Sequence, residues 1–100
     1  ALLYEGEDLL IRALIRTKRL NQAETRARHV YERDDDPTSL AYVRLAKGEY
    51  TAALELLERV LAEGYLAAGE ILEDELIKDH LSHETLQAFR ARLVALAKNG

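Results

Sequence analysis

Two six-residue segments at a step of 30 residues share a pattern, with a large apolar residue in the second place and alanine in the fifth. The first copy spans residues 19–24 and the second spans 49–54, so that Leu20 corresponds to Tyr50 and Ala23 to Ala53. Each copy lies beside segments with helical hydrophobic spacing. One helix pair cannot bury its own apolar face, so repeated units of this length stack on one another. The sequence therefore predicts an all-α domain built from stacked helix pairs.

Length and composition agree with one helical domain spanning residues 1–100. The 100 residues suffice for a single modest core, and we expect units at about 3–34, 37–64 and 66–98. Because the first residue is Ala1 rather than Met, we expect a processed chain or, preferably, a fragment of a longer protein. No apolar run approaches the ~20 residues of a membrane span, so no membrane insertion is expected.

The chain contains no cysteine. Disulfides, zinc-thiolate sites and thiol catalysis are therefore excluded. This composition fits a reducing compartment, so we expect the cytoplasm, with the bacterial periplasm as the alternative.

The net charge of −4 hides an uneven distribution. Between Arg12 and Arg33 the chain has seven Arg or Lys and two Glu, a local net charge of +5, so the remainder carries −9. This asymmetry could steer a partner or align neighbouring copies head to tail. The alternative is an ordinary solvated helix face.

Hydrophobic spacing and turn residues predict six helices in three hairpins. Asp36 can cap a helix whose first residue is Pro37, and Gly48 and Gly64 can end helices in the left-handed conformation. The expected helices are Leu3–Arg16, Asn21–Glu32, Pro37–Lys47, Tyr50 to before Gly64, one ending near Asp79, and one from after a turn at His80–His83 to Asn99.

These residues resemble the tetratricopeptide repeat, whose pattern combines a Leu-small pair, a turn glycine, an aromatic residue and a downstream bulky stripe. The middle unit matches best, through Leu40-Ala41, Gly48, Tyr50, Ala53, Leu57 and Val60. The first unit matches through Leu10, Leu20, Ala23, Ala27 and Val30, but Ile11 and Lys18 replace the small residue and the glycine. The third matches only through Leu86, Phe89, Leu93 and Leu96. Residues 40–61 are also similar to the repeat region of large bacterial transcription regulators of the maltose-regulator type.

Either resemblance implies a right-handed superhelix of three antiparallel hairpins, whose first helices line a concave protein-binding surface. Projecting the helical period predicts which residues of the first, third and fifth helices line this groove. They are Glu5, Asp8, Arg12, Ile15 and Arg16 of the first, Thr38, Tyr42, Leu45 and Ala46 of the third, and Asp74 and Lys78 of the fifth. From these we choose as candidate partner-binding residues Asp8, Arg12, Ile15, Arg16, Tyr42 and Leu45.

Arg12 and Arg16 stand four residues apart on one helix face and could clamp a carboxylate or a peptide terminus. The alternative is that they pair with Glu5, Asp8 or a neighbouring helix, or remain solvated. Tyr42 is the aromatic best placed as an exposed anchor, with a core position as its alternative. Tyr4, Tyr31, Tyr50 and Phe89 are assigned to the core.

No enzyme activity, metal or cofactor is expected. His80 and His83 lack a convergent third ligand, and no phosphate loop or nucleophile elbow is present. We therefore expect a protein-interaction or assembly module that binds a peptide, a helix, a partner subunit or another copy of the chain in a groove or along an apolar edge. The alternative is a nucleic-acid-binding or transcription-regulator-associated helical domain that uses the basic helix 21–33. The acidic total charge, the lack of a recognisable reading motif and the scarcity of aromatic residues stand against it.

Overall fold

The computed structural model describes residues 2–99, with side chains from residue 6 onward, and over this range the chain is all-helical. Tyr4, assigned to the core, and Glu5, assigned to the groove, lie outside the described side chains. The α-helices are α1 (Leu2–Arg16), α2 (Leu20–Asp34), α3 (Thr38–Ala46), α4 (Tyr50–Ala62), α5 (Ala68–Glu73) and α6 (Gln87–Asn99), and two 3₁₀ turns, Lys78–Ser82 and Glu84–Leu86, precede α6.

The predicted bounds of the first four helices are confirmed to within two residues. Asp36 Oδ1 accepts the backbone N–H of Thr38 at 3.0 Å, which is the predicted capping bond at the start of α3. Gly48 and Gly64 both have φ near +76°, the left-handed conformation expected after a helix end. The turn signals in the sequence therefore fix where these helices begin and end.

The turns of the first two hairpins have the same backbone geometry, 30 residues apart. Lys18 and Gly48 both have positive φ, at 66° and 76°, and both donate a backbone N–H three residues back, at 3.1 and 3.0 Å. The following residues, Arg19 and Glu49, have nearly identical dihedrals, with φ −89° in both and ψ 62° and 69°. The sequence repeat is therefore also a repeat of local structure, although the first copy lacks the glycine.

α3 is the central helix of the domain. It packs against α1 and α2 on one side and against α4 on the other. Six of its nine residues are buried, because Leu40 to Val43 form a continuous apolar run instead of a one-sided stripe. The Cα radius of gyration, 13.0 Å, is that expected for a compact chain of this length.

The third unit differs from the prediction. α5 has six residues and ends at Glu73, whereas the sequence predicted a helix reaching Asp79. The cause is Asp74, whose Oδ1 accepts the N–H of Leu76 at 2.8 Å, while its carbonyl accepts the N–H groups of Ile77 and Lys78. A side chain that bonds nearby backbone in this way competes with helix continuation. α5 and α6 still pack together, across the segment 74–86.

Three leucines lie on the surface, among them Leu10 and Leu96, which the repeat resemblance places in the apolar pattern. Leu9 is 66% exposed, Leu10 39% and Leu96 49%, while Ile11, Leu14 and Ile15 form the buried face of α1. α1 therefore has an exposed apolar face in addition to the buried one. No helix in the described range 2–99 combines the length and apolar character needed to cross a membrane.

Candidate functional site

Four side chains from three segments form one hydrogen-bonded cluster, which we call the Arg12 network: Asp8 and Arg12 of α1, Tyr42 of α3, and Asp74 after α5. Arg12 Nε donates to Asp8 Oδ2 at 3.1 Å, and Nη2 donates to Tyr42 Oη at 2.8 Å. Tyr42 Oη donates to Asp74 Oδ2 at 2.8 Å, and Arg12 Nη2 lies 3.4 Å from that same oxygen. Three of the predicted site residues and the predicted groove residue Asp74 are therefore brought together.

Burial governs the electrostatics of this network. Burial, reinforced by the bond to Asp74, raises the pKa of Tyr42 well above its usual value, so its hydroxyl keeps its proton. Burial by itself would lower the pKa of Arg12. The electrostatic interactions of its guanidinium with Tyr42, Asp8 and Asp74 outweigh this effect, so the pKa of Arg12 is raised. The guanidinium also stacks 4.8 Å from the centre of the Tyr42 ring. The hydrogen bonds and ion pairs of the network thus connect α1, α3 and the start of the 74–86 segment.

Three of the predicted partner-binding residues are interior. Tyr42 is 1% exposed, and Ile15 and Leu45 are also buried. The expectation that Tyr42 is an exposed anchor is therefore wrong, and burial removes Ile15 and Leu45 from surface contact in this conformation. The physical reason is that α3 is covered on both sides, so it presents no open groove face of the expected width.

Arg16 also holds an internal partner. Its Nη2 lies 2.8 Å from Glu75 Oε2, so this exposed ion pair joins α1 to the segment after α5. Arg12 pairs with Asp8 and Asp74. Both guanidinium groups of the proposed clamp are therefore engaged by carboxylates of the chain itself, which is close to the alternative interpretation given for them above.

A cleft of about 360 Å³ opens beside the network, between α1, the α2–α3 connection and the segment after α4. Arg33 on its wall makes a bidentate pair with Glu7, both bonds 2.9 Å, and also bonds Asp34. Through its hydrogen bonds, Arg33 lowers the pKa of Glu7 and of Asp34. Asp36, a further lining carboxylate, caps α3. The charged groups described here thus tie α2 to α1 within the first hairpin and cap the start of α3.

The exposed face of α1 is formed by Gly6, Leu9, Leu10 and Ala13, which recur at spacings of three and four. Thirty residues later the counterparts of its last three members are Ser39, Leu40 and Val43, and all three are buried because the first hairpin packs on α3. The same positions are therefore covered in the second hairpin and open in the first. The sequence signal was available, since Leu9 and Leu10 add a second apolar face to a helix that Ile11, Leu14 and Ile15 already anchor.

The basic helix proposed for nucleic acid is partly neutralised. Of the three arginines in α2, Arg28 pairs with Glu24 at 2.9 Å and Arg33 pairs with Glu7 and Asp34. Glu24 also accepts bonds from Lys47 at 2.6 Å and Arg44 at 3.1 Å, and the Lys47 bond lowers the pKa of Glu24. The surface is consequently less basic than the sequence alone indicates.

The two histidines after α5 surround Tyr50. His83 stacks on the tyrosine ring with a centroid separation of 3.8 Å, and His80 Nδ1 lies 3.3 Å from Tyr50 Oη. Burial lowers the pKa of His80. Among the described residues no group of three or more His, Asp or Glu could hold a metal ion. The pair joins the third unit to α4.

Comparison with protein-family models, with curated proteins and with solved structures found no match for the chain. The resemblance to the tetratricopeptide repeat therefore stays a prediction made from the residues.

Proposed function

We propose that this chain is a protein-interaction module in which a helix of a protein partner packs along the exposed face of α1. The observation that carries the proposal is the contrast between Leu10 and Ala13, which are open, and Leu40 and Val43, which occupy the same positions in the next hairpin and are buried. In the second hairpin, the structure that covers these positions is a helical hairpin. A helix is therefore the kind of partner that this face fits.

The physical driving force is apolar burial. Leu9 and Leu10 are adjacent on a helix and are two of the four large hydrophobic side chains exposed among residues 6–99. Fully burying a leucine contributes about 1.5–3 kcal/mol. Residues at spacings of three and four form the seam that one helix offers to another, and the small side chains of Gly6 and Ala13 allow close approach.

We infer that the hairpins stack as a right-handed, tetratricopeptide-like superhelix. The support is the repeated turn geometry at Lys18 and Gly48, together with the packing of the first hairpin on α3. In such arrays the faces of each unit are covered by neighbouring units. The face of α1 formed by Gly6, Leu9, Leu10 and Ala13 is a stacking face of this kind and is uncovered among residues 6–99.

A binding role is favoured over a catalytic one because the side chains that could do acid–base chemistry are engaged in holding helices together. Arg12, Tyr42 and Asp74 form the clearest example. The absence of cysteine supports a cytoplasmic location as part of the same proposal.

The proposal can be tested by site-specific photo-crosslinking in an extract of the source cells. A photoreactive side chain at Leu10 is expected to give a discrete protein adduct, and mass spectrometry should map the joined partner residues to an amphipathic helix. Glu55, exposed on α4, is the matched control position and should give no such adduct.

A second variant checks the apolar nature of the contact. Leu9→Glu should abolish the adduct from position 10 without unfolding the chain, because Leu9 is mostly exposed. Equal adducts from positions 10 and 55, or no discrete adduct from position 10, would refute the proposed function.

A further inference from the structure

We propose that the helix bound by the exposed face of α1 is α1 of a second copy, packed antiparallel about a two-fold axis. This inference rests on the proposed function and names its partner. An isologous contact uses the same patch on both subunits, so the patch must complement itself. The residues of this face meet that condition.

The side-chain sizes match in an antiparallel pairing centred between Leu9 and Leu10. In that register Leu9 of one copy faces Leu10 of the other, and Gly6 faces Ala13. The centre of the interface is then two layers of paired leucines, and small residues flank it on each side. This arrangement lets the two helix backbones approach while the leucines fill the space between them.

The charge pattern of α1 selects the antiparallel direction. Its first half carries Glu5, Glu7 and Asp8, and its second half carries Arg12 and Arg16. Antiparallel pairing sets the acidic half of one helix beside the basic half of the other, whereas parallel pairing would set like charges together. Because Glu7, Asp8, Arg12 and Arg16 are also paired within their own chain, their effect is mainly on orientation and register.

The other exposed helix face is a weaker partner for α1. α6 presents Ala88, Ala91 and Ala95 on the face opposite buried Phe89, with Leu96 at its edge. Alanines offer little apolar area. A single contact between α1 of one copy and α6 of the next would be heterologous and would generate rings or open chains of molecules. The self-complementary leucine face therefore favours a closed dimer.

The direct test uses single-cysteine variants of the purified chain, which has no cysteine of its own. Gly6→Cys places its Cβ where no atom lies within 4 Å, and Ala13 is exposed, so Gly6→Cys and Ala13→Cys should both fold. Under mild oxidation neither variant alone should form a disulfide dimer, while an equimolar mixture should form a heterodimer linked from position 6 of one chain to position 13 of the other. The two positions are about 10 Å apart along one helix, well beyond the Cα separation of a disulfide, so the test discriminates between registers.

Sedimentation and light scattering across a concentration series supply the second measurement. The unmodified chain should dimerise, and dimerisation should persist at high salt because the contact is apolar. Leu9→Glu should weaken the dimer roughly 100-fold or more, since it brings two carboxylates together near the two-fold axis. Leu96→Glu, the matched exposed leucine on α6, should leave the dimer unchanged.

The outcomes separate this inference from the proposed function. A chain that stays monomeric at all concentrations, while position 10 crosslinks to a different protein in the extract, overturns the dimer and leaves the interaction module standing. Disulfide formation by Gly6→Cys alone indicates parallel pairing and overturns the antiparallel model. Equal weakening by Leu9→Glu and Leu96→Glu indicates head-to-tail association and overturns the closed dimer.

Discussion

The first and second hairpins differ mainly in what surrounds them. Both contain a three-residue turn with a left-handed central residue, and Ala23 and Ala53 are fully buried at matching positions of α2 and α4. On the preceding helices, however, Leu10 is exposed and Leu40 is buried. Local sequence therefore sets the shape of a hairpin, whereas the neighbouring hairpin determines which of its faces becomes core.

The largest expected difference between the hairpins lies in their matched leucines. Leu40→Ala should lower the free energy of unfolding by about 2–5 kcal/mol, since it removes buried methyl groups and leaves a cavity. Leu10→Ala should cost under about 1 kcal/mol in the monomer, because its side chain is partly solvated. Urea denaturation at a concentration where the chain is monomeric compares the two. Equal losses would show that the two positions are not differently covered.

Tyr42 and Arg12 occupy equivalent positions, 30 residues apart, and bond each other. Tyr42→Phe should lower the free energy of unfolding by roughly 1–3 kcal/mol, because Asp74 loses a buried hydrogen-bond donor. Thermal unfolding followed by circular dichroism measures the loss. Tyr65→Phe, at a tyrosine on the surface, is the control and should have a smaller effect. An unchanged stability for Tyr42→Phe would mean that the network adds nothing to the packing of α1 on α3.

The two turns predict substitutions of opposite sign. Lys18→Gly should raise the free energy of unfolding by about 0.5–1 kcal/mol, because a side chain at positive φ is strained and glycine is not. Gly48→Ala should lower it by about 1 kcal/mol on the same grounds, with no steric contribution, since no atom lies within 4 Å of the added Cβ. Lys18→Ala controls for the lost charge and should lie near zero. Destabilisation by Lys18→Gly would contradict the shared geometry.

The smallest expected effect is a pH dependence of stability that arises at Tyr50, where His80 packs. Tyr50 occupies the position that Leu20 has in the first hairpin. His80, which contacts Tyr50 and lies near Asp79 and Lys18, has a pKa lowered by burial from 6.5. The folded state therefore binds a proton less readily than the unfolded state, so this contribution to stability is complete above pH 6.5 and is lost as the pH falls through the folded pKa. Stability measured from about pH 7.5 to about pH 5 should show this fall. It should be absent in His80→Gln, and an identical pH profile in that variant would exclude His80 as its source.

Much of the helical architecture could be predicted because the residues that begin and end its helices act locally. Asp36, Gly48 and Gly64 act through their own backbone and immediate neighbours, so their roles are visible in the sequence. The left-handed conformation of Lys18 was not signalled by residue type. It could be found only through the 30-residue correspondence with Gly48.

The candidate site was harder to predict because it depends on contacts distant in sequence. Helical projection brought Arg12, Tyr42 and Asp74 to one face, and they do bond one another. The same projection treated Tyr42 as exposed, since a period of about 3.6 residues cannot show that α3 is covered on both sides. The early end of α5 was not predicted for a related reason. The hydrogen bonds that Asp74 accepts depend on the backbone geometry after Glu73, which the sequence pattern does not show.

The central position of α3 has a consequence for how the domain can be divided. In a repeat array whose units contact only their nearest neighbours, a terminal unit can unravel while the rest stays folded. Here α3 completes its burial only when α1 and α2 lie on one side and α4 on the other. Cutting the chain between the first two hairpins would leave apolar surface bare on both products. The two hairpins should therefore unfold as one cooperative block, and their boundary is a poor place for modular exchange or circular permutation.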